Sequence, residues 1–492
     1  MKFVPIVFLS LLLLGCQPSK PSKESPAQPF DKLEKLVDQY AENALKKGNM
    51  PSLAIAIYKD GLSYENYYGE RSTDGNNPPN GRTQYEIASI SKIFVGSLAA
   101  RAVLENKIAL EDDIRMYLGE GFDNLEFEGT PVTIQNLLTH TIGFQTPQGL
   151  RKVYRKTIDG YYEKHEFEYG MKELFEELQA VKLDHKPGTV YDYNNVGPEL
   201  VAYILEKVYG REYSDLLQAF FDELNLTNTF LQDYISPEKT LSNESAADQN
   251  LPPLDRNPLL GGSFGIVSTL PDLTKFMTFQ LEANAPFIKE SSRMLFEDGE
   301  DNTGYLWDVG VGEKEGRYYV KTGTSNGVQS CILLCPDTNY GLVLITDNTS
   351  DAALNDWASL YHRIEYDLIE YPKINAWSMV ASEFVTAPEK ASKKYIELSK
   401  DTSKYFASSD YLNKVGYDLL YNDEVEKAIK VFELAISQDL KNANLYDSLG
   451  EALFKAQKYQ RSKDNYQKSL ALHPDNSNAK KYLKEIDQIM AK

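Results

Sequence analysis

The strand patterns in the first 370 residues form two groups, and a long stretch that reads as helical separates them. Residues 52–58 and 62–68 flank the turn residues Lys59-Asp60-Gly61, which predicts a β-hairpin. Residues from about 86 to 280 carry mostly helical periodicity. Four further strand patterns follow: Gly304–Val311, Arg317–Lys321, Ser330–Cys335 and Leu342–Asp347. This order predicts one sheet assembled from both ends of the region, with a helical lobe inserted between them.

Helical patterns flank the two strand groups. Asp31 to Lys47 precedes the hairpin, and Asp351 to Ile369 follows the last strand pattern. Helices packed on a sheet define an α/β fold. A chain of 492 residues has room for two or more domains, and we expect the first to span residues 31–370.

The last part of the chain repeats itself with a period of 34 residues. Glycines recur at positions 416 and 450, and aromatic residues recur at 432 and 466. This period is typical of tetratricopeptide repeats, although any antiparallel helix pair is the simpler alternative. We therefore expect an all-α tetratricopeptide segment over 411–492, with two repeats, a capping helix from Ala479 to Met490 and a surface for a protein partner. Residues 371–410 would form a helical linker.

The N-terminus has the pattern of a targeting segment. Lys2 supplies a positive charge, Val4 to Leu14 is apolar but too short to span a bilayer, and Leu14-Gly15-Cys16 follows. This pattern resembles the lipobox of bacterial lipoproteins, which implies a signal peptide over 1–16, a lipid on Cys16 and a flexible tether over 17–30. The protein would then be anchored to a membrane in the bacterial cell envelope, facing the periplasm or the surface. An ordinary secretory signal with an incidental cysteine is the alternative.

Charge and cysteine content exclude several classes of function. The net charge of −20 repels phosphate backbones and argues against a nucleic-acid partner. Cys331 and Cys335 lie four residues apart in one predicted strand, which is too far for a disulfide, so we expect both in the core. The histidines show no spacing typical of a metal site. We expect neither a metal nor another cofactor.

Ser89 and Lys92 form the first candidate catalytic pattern. Residues three apart on a helix share one face, so the lysine amine can reach the serine hydroxyl. A desolvated lysine can take the proton of a serine and so activate it as a nucleophile. The spacing alone is weak, because Ser236–Lys239 and Ser477–Lys480 repeat it, and Ser89 could simply cap a helix.

Two later motifs join this pair. Pro187-Gly188 precedes Tyr193-Asn194-Asn195, and a strand pattern leads into Lys321-Thr322-Gly323-Thr324. The ordered set Ser-x-x-Lys, Tyr-x-Asn and Lys-Thr-Gly resembles the penicillin-recognising serine hydrolases, and the tyrosine resembles their class C β-lactamase and D-alanyl-D-alanine carboxypeptidase branch. Leu137 to Gly143 is similar to the LLTHTSG helix of that branch. The resemblance covers about residues 31–370 and implies a β-lactamase/transpeptidase-like antiparallel sheet flanked by helices, with an inserted all-α lobe.

The resemblance implies catalytic roles for three residues. Ser89 would attack a carbonyl, and Lys92 and Tyr193 would share the proton transfer. The two groups form a coupled pair, so either could be the general base.

It also implies a substrate-binding set. Asn195 would hold a substrate amide and orient Lys92, while the backbone N–H of Thr324 would join that of Ser89 in stabilising the oxyanion. Lys321 and Thr322 would bind a substrate carboxylate, and Gly323 would let the substrate backbone approach closely.

Several functions remain open from the sequence. The chain is expected to be a serine hydrolase that acts through an acyl-enzyme on an amide, β-lactam or ester carbonyl, as a peptidase, β-lactamase or carboxylesterase. Lys321 favours a small or peptidic substrate with a free carboxylate. Residues 145–186 would form a lid or wall of the cleft. The alternative class is a non-catalytic penicillin-binding-like sensor that recruits partners through its repeats.

Overall fold

The computed structural model of the protein describes residues 27–71, 77–151, 169–232, 259–325 and 327–491. Cys16, most of the expected tether and the middle of the 145–186 insertion lie outside the described residues.

The main sheet has seven strands, and every neighbouring pair is antiparallel. In spatial order the strands are β2 (Leu62–Gly69), β1 (Ser52–Lys59), β12 (Tyr340–Thr346), β11 (Val328–Cys335), β10 (Gly316–Ser325), β9 (Trp307–Gly312) and β8 (Thr303–Gly304). Strand β1 pairs with β12, with Leu53 opposite Thr346 and Lys59 opposite Tyr340. This pairing confirms the prediction of one sheet built from distant parts of the chain.

The described helices fall into two groups along the chain. Those of the first 370 residues are α1 (Ala27–Leu45), α2 (Ser91–Leu104), α3 (Arg115–Leu118), α4 (Ile134–Leu138), α5 (Met171–Leu178), α6 (Val196–Tyr209), α7 (Tyr213–Glu223), α8 (Leu270–Glu282), α9 (Pro286–Ser291) and α10 (Asp351–Glu370). The later ones are α11 (Ala381–Thr386), α12 (Pro388–Leu398), α13 (Ser409–Tyr421), α14 (Val425–Gln438), α15 (Ala443–Lys455), α16 (Tyr459–Leu472) and α17 (Ser477–Met490).

The central strands are covered on both faces. Every residue of β1, β11 and β12 is buried, which explains their continuous apolar runs. One face, with Leu53 and Cys331, packs on α1 and α10, and the other, with Ala54 and Ile332, packs on α8 and the helical lobe around α2. Cys331 and Cys335 are buried free thiols in the first of these layers. The sheet therefore separates two apolar layers.

The inserted lobe is mostly helical, but it is not all-α as expected. Strands β3 (Gln84–Glu86), β7 (Ile266–Thr269) and β6 (Phe230–Leu231) form a three-stranded sheet in that order. Strands β4 (Glu126–Phe127) and β5 (Thr130–Pro131) form another pair. Strands of two to four residues are too short to show a period of two in the sequence.

Two predicted strands have different bounds in the structure. The segment predicted as one strand, Gly304–Val311, is divided between β8 and β9. Tyr305 and Leu306 turn the chain there, with φ angles of 51° and 69°. Strand β10 continues past the predicted end at Lys321 as far as Ser325. The polar and glycine residues of this extension hide its strand character, and the extension contains Thr322 and Gly323 of the Lys-Thr-Gly motif.

The ends of the described chain also refine the expectations. Helix α1 begins at Ala27, so the last residues of the expected 17–30 tether are helical. The expected linker 371–410 contains α11, α12 and a two-stranded parallel sheet of β13 (Ile374–Asn375) and β14 (Tyr405–Phe406). Within the described residues, no helix has both the length and the apolar character needed to cross a membrane.

Candidate active site

Ser89 lies in a single 3-10 turn, Ala88–Ile90, that leads directly into α2. Ala88 has a φ angle of 45°, in the left-handed region that residues with a side chain rarely adopt. Strained backbone of this kind clusters at functional sites. The turn leaves the Ser89 side chain half-buried, while Lys92 in the first turn of α2 is completely buried.

The structure brings together the three residues for which the sequence predicted catalytic roles. The Lys92 ammonium donates a hydrogen bond to Ser89 Oγ, with Nζ and Oγ 3.1 Å apart. The Tyr193 hydroxyl donates to the same Oγ at 2.9 Å, although 104 positions separate the two residues in sequence. The serine hydroxyl thus contacts two groups that can exchange protons with it.

Lys92 is placed in surroundings that disfavour its positive charge. Burial lowers the pKa of its amine, and the nearby Lys321 lowers that pKa further, while the phenol of Tyr193 and the carboxylate of Glu199 act in the opposite sense. Its Nζ atom also donates to the backbone carbonyl of Ser263 at 2.8 Å. A lowered pKa makes the neutral amine, which can accept a proton, easier to reach near neutral pH.

Tyr193 carries the complementary shift. Burial alone would raise the pKa of its phenol, but the positive charges of Lys92 and Lys321 and the hydrogen bond with Ser89 outweigh it and lower the pKa. Both lysine Nζ atoms lie 5.0 Å from the centre of the tyrosine ring. Because 42% of the Tyr193 surface is exposed, solvent also reaches this group. Lys92 and Tyr193 therefore titrate as a pair.

His140 supports the segment that carries Tyr193. Its carbonyl accepts a hydrogen bond from the backbone N–H of Asp192, and its Nδ1 faces the backbone N–H of Asn194 at 3.4 Å. The imidazole also lies against the Tyr193 ring, with centroids 4.5 Å apart. Burial, then Lys321 and Lys92, hold the pKa of His140 well below its usual range, so the ring is neutral.

The third motif lies on β10 beside the Ser89 turn. Strand β9 pairs with β10 only from Gly316 to Val320, and the motif follows directly after that point. A Cβ atom added to Gly323 would lie 2.1 Å from the carbonyl oxygen of Ile87, so this glycine lets the strand approach the chain's own turn. The sequence had instead led us to expect that Gly323 would let the substrate backbone approach closely. Thr322 and Thr324 are exposed, and Thr324 Oγ1 donates to Gln329 Oε1 at 2.6 Å.

Two other members of the predicted binding set have surroundings that the sequence did not indicate. Lys321 is 2% exposed, and its Nζ lies 3.0 Å from Asp308 Oδ1. Asn195 lies at the N-cap position of α6 but makes no capping hydrogen bond, and its buried Oδ1 atom accepts no hydrogen bond from the described residues. That oxygen therefore does not hold Lys92, whereas the carbonyl of Ser263 does.

Glu199, which belongs to none of the sequence motifs, has a carboxylate that is completely buried in α6. It accepts hydrogen bonds from the backbone N–H groups of Leu260, Gly261, Gly262 and Ser263 at 2.9–3.2 Å, and from the Ser263 hydroxyl. This arrangement fixes the segment whose Ser263 carbonyl holds Lys92. The signal in the sequence was a charged residue within an apolar helix. That signal does not reveal the partners of Glu199, which are backbone N–H groups more than sixty residues later in the chain.

Known proteins resemble this chain over its first two thirds. The family model described as beta-lactamase matches residues 35–362. "Protein flp" of Staphylococcus aureus strain N315 is 24% identical over 331 residues, which cover 64% of this chain and 63% of that protein. A beta-lactamase of Providencia stuartii is 24% identical over 386 residues, covering 68% of this chain and 90% of its own.

Solved structures show the same fold. A class C beta-lactamase aligns with a TM-score of 0.55 and 21% identity, covering 68% of this chain and 96% of that chain. The beta-lactamase/D-alanine carboxypeptidase from Yersinia pestis, complexed with citrate, aligns with a TM-score of 0.56 and 19% identity, covering 69% and 99%. Because the family model matches more than half of the chain, this protein belongs to the beta-lactamase family of serine hydrolases.

Proposed function

We propose that the protein is an active serine hydrolase that works through an acyl-enzyme formed on Ser89. The observation that carries the proposal is the convergence of the Lys92 amine and the Tyr193 hydroxyl on Ser89 Oγ, at 3.1 and 2.9 Å. Such a nucleophile needs a neighbouring base within hydrogen-bonding distance. Both neighbours also have a lowered pKa, which suits groups that accept a proton near neutral pH.

The reaction would proceed in two balanced steps. Ser89 Oγ forms a bond to the substrate carbonyl carbon, its proton passes to the Lys92–Tyr193 pair, and the same pair returns a proton to the leaving group as its bond to carbon breaks. Water then attacks the ester, giving up a proton to the pair, and Ser89 Oγ takes a proton back as it leaves. The pair ends in the protonation state in which it began.

The developing oxyanion would be stabilised by backbone N–H groups of Ser89 and Thr324. The support for this role is that the β10 segment after Val320 lies against the Ser89 turn. Gly323 is close to Ile87 there, and the Ser325 hydroxyl faces the carbonyl of Glu86 at 3.5 Å. Fixed donors of this kind are often the largest single contribution to acyl-transfer catalysis.

We propose β-lactams, D-alanyl peptides and simple esters as the substrate classes. The similarity to a beta-lactamase and to a beta-lactamase/D-alanine carboxypeptidase favours the first two. The match with protein flp spans only 63% of that protein's length, so the activities of the relatives are proposals for this chain. Lys321 and Thr322 remain the predicted position of a substrate carboxylate, and such a group would have to compete there with Asp308 for the Lys321 ammonium.

A covalent labelling experiment tests acyl transfer. The protein is incubated with a fluorescent penicillin and run on a denaturing gel, and turnover of p-nitrophenyl acetate and of a D-alanyl dipeptide is measured in parallel. We expect a labelled band that Ser89→Ala abolishes, because the alanine has no nucleophilic oxygen.

Ser97→Ala is the matched control. Ser97 lies two turns further along α2, and its hydroxyl donates to the Ile93 carbonyl. This variant should keep the label. Labelling of Ser89→Ala equal to that of the wild type would reject the assignment of the nucleophile. An unlabelled wild type without turnover of either substrate would favour the non-catalytic sensor.

We also infer that residues 411–479 form two tetratricopeptide repeats that offer a surface to a protein partner. In support, α15 and α16 begin and end 34 residues after α13 and α14. At the helix crossings, Gly416 lies against the Phe432 ring and Gly450 lies against the Tyr466 ring. A bulky Gly450→Leu change should open residues 443–472 to proteolysis while Ser89 is still labelled, and unchanged resistance would reject this packing.

We propose, from its sequence pattern alone, that Cys16 carries a lipid that anchors the protein in the cell envelope. The expected observation is incorporation of labelled palmitate by the wild type and its loss in Cys16→Ser. Equal incorporation by both proteins would reject Cys16 as the anchor.

A further inference from the structure

The cation expected to bind a substrate carboxylate already has a carboxylate partner. Lys321 is 2% exposed, and its Nζ lies 3.0 Å from Asp308 Oδ1. The two residues come from neighbouring strands, where Asp308 lies opposite Val320. The Asp308 side chain keeps 40% of its surface exposed, so this ion pair lies at the border between protein and solvent.

The ion pair forms part of the wall of a cavity of about 350 Å³ that Tyr193 also lines. Tyr193, whose hydroxyl contacts Ser89, joins this cavity to the catalytic group. Lys321 and Thr322 line the same space, and Asp308 and Asp301 add negative charge to its wall. A substrate group that reaches Lys321 therefore also faces carboxylates.

A substrate carboxylate at this position would compete with Asp308 for the Lys321 ammonium. Charge-assisted hydrogen bonds are about twice as strong as neutral ones, so losing the Asp308 contact is costly, and two carboxylates around one ammonium also repel each other. A neutral amide or a cationic group meets no such competition. A cationic group gains attraction from the acidic wall instead.

We propose that Asp308 determines the charge specificity of the cleft, by holding Lys321 and so disfavouring substrates with a free carboxylate relative to neutral or cationic ones. This inference rests on the proposed function, because it concerns the same cleft. It assigns to Asp308 a role in substrate selection that the three sequence motifs do not contain.

Equilibrium binding to the Ser89→Ala protein tests this role without any need for turnover. The two ligands are N-acetyl-D-alanyl-D-alanine and its C-terminal amide, and calorimetry gives the ratio of their affinities. Adding Asp308→Asn should shift the ratio toward the carboxylate about tenfold, since the freed ammonium then pairs with the ligand. Asp308→Ser should reproduce the shift, and thermal melting of each variant checks its folding.

Asp301→Asn is the matched control, because it removes one charge from the same wall without removing the partner of Lys321. We expect it to shift the ratio at most threefold. An unchanged ratio in Asp308→Asn, equal shifts in both variants, or no carboxylate binding by Asp308→Asn would overturn the proposal. Turnover of p-nitrophenyl acetate by the protein with Ser89 intact remains a separate readout, because this ester has no carboxylate, so a failure of acyl transfer is distinguishable from a failure of this specificity role.

Discussion

At the scale of single residues, Lys92 and Tyr193 are the two groups that can activate Ser89 as a nucleophile. A lysine in water holds its proton up to a pH of about 10.4, and a tyrosine up to about 10. Burial of Lys92 and the two ammonium groups near Tyr193 move both pKa values downward. Each group also favours the charged form of the other. Removal of a single proton from the pair therefore leaves either group able to act as the base.

The coupling predicts how the pH dependence of acylation responds to Tyr193→Phe. The phenol of Tyr193 raises the pKa of Lys92, so its removal should lower that pKa further. The acid limb of the kcat/KM profile, which reports the deprotonation that creates the base, should move to lower pH. The plateau should fall by about 100-fold or more, because one proton-transfer partner is lost.

Stopped-flow acylation with a chromogenic cephalosporin between pH 4 and 10 measures both effects. Tyr191→Phe is a suitable control, because Tyr191 lies in the same segment and its ring contacts His140. A limb that stays in place in Tyr193→Phe, or that moves to higher pH, would contradict the coupling.

At the scale of elements, α6 is linked to the segment 260–263 through one buried carboxylate. Glu199 on the helix accepts the N–H groups of that segment, and the segment in turn presents the Ser263 carbonyl to Lys92 at 2.8 Å. A Cβ atom on Gly262 would lie 2.3 Å from the Pro198 carbonyl, so the two elements are also in close steric contact. Glu199 therefore acts on the reaction through its neighbours, as a positioning residue.

Glu199→Gln should slow acylation and also shift its pH dependence. The amide cannot accept all the hydrogen bonds of the carboxylate, so we expect a loss of roughly 2–4 kcal/mol in unfolding free energy and about tenfold in kcat. The lost negative charge should also lower the pKa of Lys92 and move the acid limb to lower pH.

The variant Glu206→Gln is the control that distinguishes an effect on the position of Lys92 from an effect on the stability of the protein. Glu206 lies two turns further along α6, and its carboxylate accepts the backbone N–H of Tyr213 at 2.8 Å. The Glu206→Gln variant should have a lower melting temperature, and the acid limb of its kcat/KM profile should stay in place. If both variants give the same pH profile, Glu199 has only a structural role.

At the scale of the whole molecule, α10 connects the sheet to the C-terminal helices. Its Asp367 is buried and accepts a hydrogen bond from the Tyr40 hydroxyl of α1 at 2.7 Å, while its other oxygen has no partner among the described residues. Arg363 on the same helix reaches Asp418 of α13 at 3.3 Å. Burial raises the pKa of Asp367 to about 7. This junction therefore contains a carboxyl group that is protonated in mildly acidic solution.

The raised pKa of Asp367 predicts that the free energy of unfolding falls as the pH rises. The unfolded chain loses this proton at a pH of about 4, whereas the folded protein keeps it up to about 7. Between these two values the folded protein binds more protons than the unfolded one, so the free energy of unfolding decreases as the pH rises. The total effect is on the order of 4 kcal/mol. Asp367→Asn should flatten this part of the curve and raise the melting temperature at pH 8.

Thermal melts of the two proteins at pH 5 and pH 8 measure the effect. Tyr40→Phe is an informative partner variant, because the Tyr40 hydrogen bond lowers the pKa of Asp367 and its loss should shift the window to higher pH. Equal slopes for the wild type and Asp367→Asn would show that another group governs this range.

The sequence predicted the parts of the molecule whose signal is local. The hairpin of β1 and β2 was visible because its strands are apolar runs, and its turn has the residues that φ angles of 50° at Asp60 and 87° at Gly61 require. Ser89 and Lys92 were visible because their contact spans three residues. The proximity of Tyr193 was not readable from spacing and entered through a family resemblance.

The contacts that the sequence did not predict join distant segments through groups without a pattern of their own. Strand β7 pairs with β3, whose residues lie about 180 positions earlier, over only three residues. Glu199 contacts backbone N–H groups, which every residue but proline has, so no residue type marks its partners. Asp308 reaches Lys321 through the pairing of β9 with β10, in which Asp308 lies opposite Val320.

The two-layer arrangement of the core has a consequence for how the parts work together. Helix α10 and the C-terminal helices it contacts lie behind the sheet, on the layer with Leu53 and Cys331, whereas the Ser89 turn belongs to the opposite layer. A partner bound to the rear helices would leave the entrance to Ser89 unobstructed. Binding behind the sheet and access to Ser89 in front of it would therefore not exclude each other.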